Sequence, residues 1–180
     1  KGLTSEIAEL ASMSMELISM DNWDVFFDNE ADLKRAKRDQ LIDILGTLPW
    51  VATIDKFQHW IYTHKNHTVE ERNNYWLELT EEFSSGEVDW TGAEKFKASQ
   101  WQRQLHLYEV PFYYIEYGMA QLGAVAMWRN YKNDPKKTIQ QYKAALSLGY
   151  TKSIGEIYEA AGIKFDFSNE YVQELSHFIY

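Results

Sequence analysis

An all-α, multi-helix fold is predicted from three observations. Apolar residues recur at helical spacing along almost the whole chain, capping residues precede those runs and glycine or proline follows them, and no stretch alternates apolar with polar residues between hairpin-type turns. With 180 residues, 45% of them hydrophobic and 16% aromatic, the chain can bury a real core, and 1–180 reads as a single all-helical domain without linker, repeat or low-complexity tract.

The first helix is expected over residues 5–20. Asn29 caps a second from about Glu30 to Leu45, ended by Gly46 and Pro49, and "VATIDKFQHWIYTH" carries a third. Thr68-Val69-Glu70-Glu71 has capping-box spacing and opens a fourth, which "SSG" at 84–86 terminates; Thr91-Gly92-Ala93-Glu94 repeats the device for a fifth. Pro111 is read as a first-turn proline before "FYYIEYGMAQLGAVAMWRNY", and Asp134-Pro135 does the same for a helix that stops at Gly149. Two short helices, near 153–161 and 169–179, finish the chain. The tryptophans Trp50, Trp60, Trp76, Trp101 and Trp128 are expected as core anchors, His59 as a satisfied core histidine, and "KRAKRD" (34–39) as a solvated face.

Composition excludes several classes. Zero cysteines remove disulfides, cysteine-ligated zinc and thiol nucleophiles together. A net charge of −9 and a pI near 5.0 argue against nucleic acid as a partner. No run of 18 apolar residues suggests a membrane span, and Lys1-Gly2-Leu3-Thr4 lacks the pattern of a secretory signal, so a cytoplasmic location is expected. The chain lacks an initiator Met and starts almost directly on a helical pattern, which suggests a piece of something longer.

Two constellations carry chemistry. In "SEIAELASMSMELI", Glu9 and Glu16 stand seven residues apart and so share a stripe to within roughly 20°. From Gly2 to Leu33 there are eight acidic residues and no Lys or Arg, and the helix is apolar over so much of its circumference that burial is expected. A carboxylate there needs a hydrogen-bonding partner, a distant cation or a metal; a solvated face is the competing reading, and composition alone does not separate them. In "HLYEVPFYYIEYGMAQLG", a helix running through Tyr113, Tyr114 and Tyr117 would hold all three within about 100° of arc, with His106 in the loop before it. Aromatics at this spacing also suit a core, and Gly118, Gly123, Ala120, Ala124 and Ala126 predict close packing by another helix.

Those two segments, with "LPWVATIDKFQHWIYTH" (48–64) and "GYTKSIGEIYEAAGIKFDF" (149–167), resemble the zinc metallopeptidase family of oligoendopeptidase F and thimet oligopeptidase, in the same order and over essentially the whole chain. The resemblance implies the C-terminal, all-helical portion of a zincin-like catalytic domain. It makes Glu9 the third zinc ligand, with Glu16 orienting a ligand from behind it, and it gives His106, Tyr114 and Tyr117 the work of binding substrate and stabilising the oxyanion. Tyr113 competes with Tyr114, because the loop lacks the glycines of thimet oligopeptidase and differs in length; the i,i+3 spacing to Tyr117 favours Tyr114. The implied substrates are short unstructured peptides cut at internal bonds.

Such chemistry needs three protein ligands on zinc, commonly two His and a carboxylate, and a Glu in HExxH as general base. The histidines here are His59, His64, His67, His106 and His177, and none is followed by Glu. His64 and His67 read as a helix-end and loop pair. The metal-binding helix is therefore expected some 15 to 25 residues before Lys1, a spacing the resemblance supplies, in an N-terminal remainder of the same enzyme. Alone, the chain is expected to bind zinc poorly and cleave nothing. The competing function is a non-catalytic helical interaction module using the acidic helix and the tyrosine face; a start codon just before Lys1 would favour it, and an upstream HExxH the peptidase.

Overall fold

The computed structural model describes residues 5–180; Lys1-Gly2-Leu3-Thr4, read above for a secretory signal, lies outside the described residues. The described residues contain helices and turns but no strand. In chain order the helices are α1 (Ser5–Ser19), α2 (Glu30–Thr63), α3 (Val69–Phe83), α4 (Glu94–Ala98), α5 (His106–Glu109), α6 (Ile115–Asn133), α7 (Pro135–Ser147), α8 (Ile154–Ala160) and α9 (Asn169–Ile179). None is long and apolar enough to cross a membrane.

The local signals behave as expected where they are self-contained. Asn29 Oδ1 accepts from Asp32 N at 2.8 Å at the start of α2. Thr68 with Glu71, and Ser153 with Glu156, form complete capping boxes, and Asp134 accepts from Lys137 N ahead of Pro135.

Three expectations fail. α2 does not stop at Gly46 or Pro49 but runs on to Thr63. An interior proline costs about 3 kcal/mol, while burying a large apolar side chain stabilises by about 1.5–3 kcal/mol. The turns after Pro49 bury Val51, Ile54 and Phe57 to 2% exposure or less, so continuing the helix wins. α4 is a five-residue piece without a Thr91 cap: Thr91 N donates to Asp89 and Gly92 N to Glu94 Oε1, which spends both groups on a turn. Nor does Pro111 open α6, which starts at Ile115.

By internal contacts the chain divides into two compact units. The first comprises the described residues up to Ile44 together with Glu116–Tyr180. Its core joins Ile7, Leu10 and Leu17 of α1 to Ala124 and Met127 of α6 and to Tyr158 of α8. Close approach is what the small residues of α6 allow: a Cβ on Gly123 would stand 2.7 Å from Leu10 Cδ1 and 3.0 Å from the Tyr158 ring. The Tyr158 hydroxyl donates to Met119 O at 3.1 Å, and burial raises its pKa. From α7, Tyr142 donates to Ala11 O at 3.2 Å.

The second unit is Leu45–Ile115. Ile54 and Phe57 of α2 pack on Trp76 and Leu79 of α3 and on Trp101, with the Phe57 and Trp76 rings edge to face at 5.0 Å. Both buried indoles are satisfied, Trp76 by Lys97 O and Trp101 by Asn73 Oδ1. These two are the core tryptophans; Trp50, Trp60 and Trp128 are half-buried. "KRAKRD" is largely solvated, whereas His59 is exposed beside Asp55 at 3.4 Å and is not a core histidine. His64 and His67 occupy the end of α2 and the following loop, with His64 stacked on Trp60.

Candidate active site

In the first unit, α1 buries one face made of Ile7, Leu10, Ser14, Leu17 and Ile18. The rest of the helix is not enclosed, contrary to the expectation of all-round burial. Glu9 is half-buried at the edge of that face, and Glu16, two turns on, is exposed. The reason lies in the serines and Ala8: Ala8, Ser12 and Ser19 stand on the outward side, where the apolar count of the sequence overstated the core-facing arc.

The acidic opening of the chain finds counter-charge only in part. Asp21 pairs with Lys132 of α6, Glu30 with Lys34 at 2.7 Å, and Asp32 with Arg35 at 2.6 Å. Among the described residues no Lys, Arg or His pairs with Glu9 or Glu16.

A residue missed in the sequence adds to the excess. Glu116, in the first turn of α6, is near enough to Glu6 and Glu9 to feel both. Its pKa is raised by desolvation, opposed by hydrogen bonding from the Ser5 side chain and raised further by the Glu6 and Glu9 charges. Its Oε2 is buried without a hydrogen-bond partner among the described residues. Nothing local to "YYIEYG" signals this, because the partners lie more than a hundred residues earlier. Tyr117, the next residue, is half-buried in the same turn of α6.

In the second unit, His106, Tyr113 and Tyr114 come together. His106 does not sit in a loop; it opens the single-turn helix α5, and its Nδ1 lies 2.7 Å from Gln104 Nε2. Its ring stands 5.0 Å from that of Tyr114, edge to face, and 6.0 Å from that of Tyr113. Tyr113 and Tyr114 precede α6 rather than riding on it, so the expected three-tyrosine helical stripe is not formed. The cause is backbone hydrogen bonding. Phe112 N donates to Gln58 Oε1 at 2.9 Å and Tyr113 N to Val110 O at 3.2 Å, and Phe112 adopts φ 61, so the chain turns before the helix starts. Trp50 Nε1 donates to the Tyr114 hydroxyl at 3.1 Å, which ties that tyrosine to α2.

Chemically, the described residues of the first unit offer carboxylates without a paired cation, and the second unit an imidazole flanked by two phenols. Among the described residues no group of three or more His, Asp or Glu side chains converges closely enough to hold a metal.

The model of "Peptidase family M3" matches residues 2–177. No curated protein matches. Among solved structures, PZ peptidase A with an inhibitor superposes with a TM-score of 0.89 at 29% identity, covering 99% of this chain and 31% of that one. A protein assigned as an oligoendopeptidase F gives 0.85 at 28% identity, covering 99% and 31%. Another so assigned, from Bacillus anthracis str. Ames, gives 0.77 at 25% identity, covering 99% and 28%. The chain thus spans less than a third of the length of each of these proteins. A match along nearly every residue, on a helical fold shared with such structures, means that the chain belongs to peptidase family M3.

Proposed function

We propose that the chain is the C-terminal helical part of a zinc-dependent oligopeptidase of the oligoendopeptidase F type, which hydrolyses internal bonds of short unstructured peptides. The observation that carries the metal assignment is the group of carboxylates on α1 and α6 that no cation pairs with among the described residues. Among the described residues Glu9 is half-buried with no cation paired to it, and Glu116, whose pKa burial and the Glu6 and Glu9 charges raise against the Ser5 hydrogen bond, has one buried carboxyl oxygen without a hydrogen-bond partner. Carboxylates so placed suit a divalent cation.

The chain supplies one ligand, Glu9, and the two histidines and the general base come from the N-terminal remainder of the enzyme. Zinc, when bound, activates water and polarises the scissile carbonyl. Glu16 supports the ligand set by orienting one of its members. His106, Tyr114 and Tyr117 donate hydrogen bonds to substrate and to the oxygen that gains charge during attack, with Tyr113 as the alternative to Tyr114. A phenol does this well because it is a neutral donor and can be aimed in advance.

The test is steady-state cleavage of an internally quenched peptide by the full-length enzyme. Removing one oxyanion donor lowers kcat by roughly 10²–10³-fold, so Tyr114→Phe or Tyr117→Phe should fall in that range with KM little changed. Tyr113→Phe run beside them decides between the neighbours. Wild-type turnover in all of these variants and in His106→Ala would remove the assignment.

A further inference from the structure

Phe112 holds φ at 61, the left-handed region that a bulky side chain rarely enters, and it is the residue immediately before Tyr113 and Tyr114. Three side chains of α2 hold it there. Gln58 Oε1 accepts from its N–H at 2.9 Å, and its ring packs on those of His59 and Tyr62 at 4.9 and 5.1 Å. The acceptor must be the oxygen of the Gln58 amide, since a backbone N–H can only donate.

Gln58 is a costly way to fill its place. It is 2% exposed, and its Nε2 has no hydrogen-bond partner among the described residues. A methionine or leucine of similar volume would fill the space without burying an unsatisfied amide. What an apolar side chain could not do is take the Phe112 N–H and keep the backbone turned.

We propose that Gln58 is a positioning residue: by holding Phe112 in the left-handed conformation it sets the direction in which Tyr113 and Tyr114 leave the turn beside His106. This rests on the peptidase reading above. α2 grips the segment at two levels, at Phe112 through Gln58 and at the Tyr114 hydroxyl through Trp50, eight residues earlier on the same helix. Losing the first grip lets the turn relax toward ordinary φ and moves both phenols relative to the imidazole. Donors that act on developing charge are felt in kcat rather than in KM.

The experiment uses the full-length enzyme, with Gln58→Met, Phe112→Gly and the double variant, measuring kcat and KM on an internally quenched peptide, zinc content and thermal unfolding. Misplacing a catalytic group by about 1 Å costs roughly 10²-fold, so Gln58→Met should lose roughly 10- to 100-fold in kcat. KM should stay within about threefold, and zinc content and the unfolding midpoint should not fall. Phe112→Gly, which takes φ near 61 without strain and keeps the N–H that Gln58 accepts, should stay within about threefold of wild type, and the double variant should recover part of the loss seen in Gln58→Met. Gln58→Met turning over within about twofold of wild type, or a double variant no more active than Gln58→Met, would overturn the proposal. An inactive wild-type enzyme would instead refute the peptidase reading.

Discussion

Replacing Gly123 by alanine tests the packing that brings α1, α6 and α8 together. A Cβ built at Gly123 lies 2.7 Å from Leu10 Cδ1 and 3.0 Å from both Cε1 and the hydroxyl of Tyr158, against the 3.4 Å at which ordinary contact begins. The shortfalls are 0.7 Å toward Leu10 and 0.4 Å toward Tyr158. Leu10 and Tyr158 are 3% and 1% exposed, so neither has room to swing away, and the Tyr158 hydroxyl is tied to Met119 O. Overpacking of this kind costs about 1–3 kcal/mol, while glycine to alanine inside a helix gains about 0.8–1 kcal/mol. The net expectation is a loss of up to about 2 kcal/mol, or up to about 30-fold in local protection. Gly46 supplies the control: it lies inside α2 with no atom within 4 Å of a built Cβ, so Gly46→Ala should gain about 0.5–1 kcal/mol. Native-state hydrogen exchange on the full-length protein reads both, in α6 for Gly123 and in α2 for Gly46. Equal signs for the two substitutions would refute the close approach of the helices at Gly123.

Two predictions concern pH. Burial raises the Asp55 pKa and the His59 charge opposes it, so the folded state gains from this group below the ordinary value near 3.8 and loses that gain as pH rises through the folded value. Asp55→Asn should therefore be more stable than wild type at pH 7 in urea denaturation, with the advantage gone at pH 3. Glu156 behaves oppositely. The backbone N–H of Ser153, then the Lys152 side chain and the Ser153 hydroxyl, bring its pKa from 4.5 down to about 2. Its contribution is present above about pH 4.5 and lost as pH falls toward 2, so Glu156→Gln should weaken protection of α8 at pH 7 and leave it unchanged near pH 2.

What could be read from the sequence was what is decided within a few residues. Thr68 with Glu71, Ser153 with Glu156 and Asp134 before Pro135 each carry their partners within one turn, and each helix starts where those residues say. Pro49 does not end a helix and Pro111 does not open one, because a proline's effect depends on what the rest of the fold does. Burial of Ile54 and Phe57 carries α2 past the first, and the hydrogen bond from Phe112 N to Gln58, 54 residues away, delays α6 beyond the second. The same holds for the candidate site. Glu9, His106 and the tyrosines stood out as residue types in recognisable segments, whereas Glu116 and Gln58 matter only through partners far along the chain. "FQHWIY" drew attention to its histidine, but His59 is exposed, and the buried glutamine beside it makes the contact to the tyrosine turn.

Metal analysis of the full-length enzyme and its Glu9→Ala variant addresses the zinc assignment most directly. Stoichiometric zinc in the wild type, lost from the variant together with peptide cleavage while the helical circular dichroism is retained, is the predicted result. A Glu9→Ala protein that keeps its zinc and cuts peptide at the wild-type rate would contradict it.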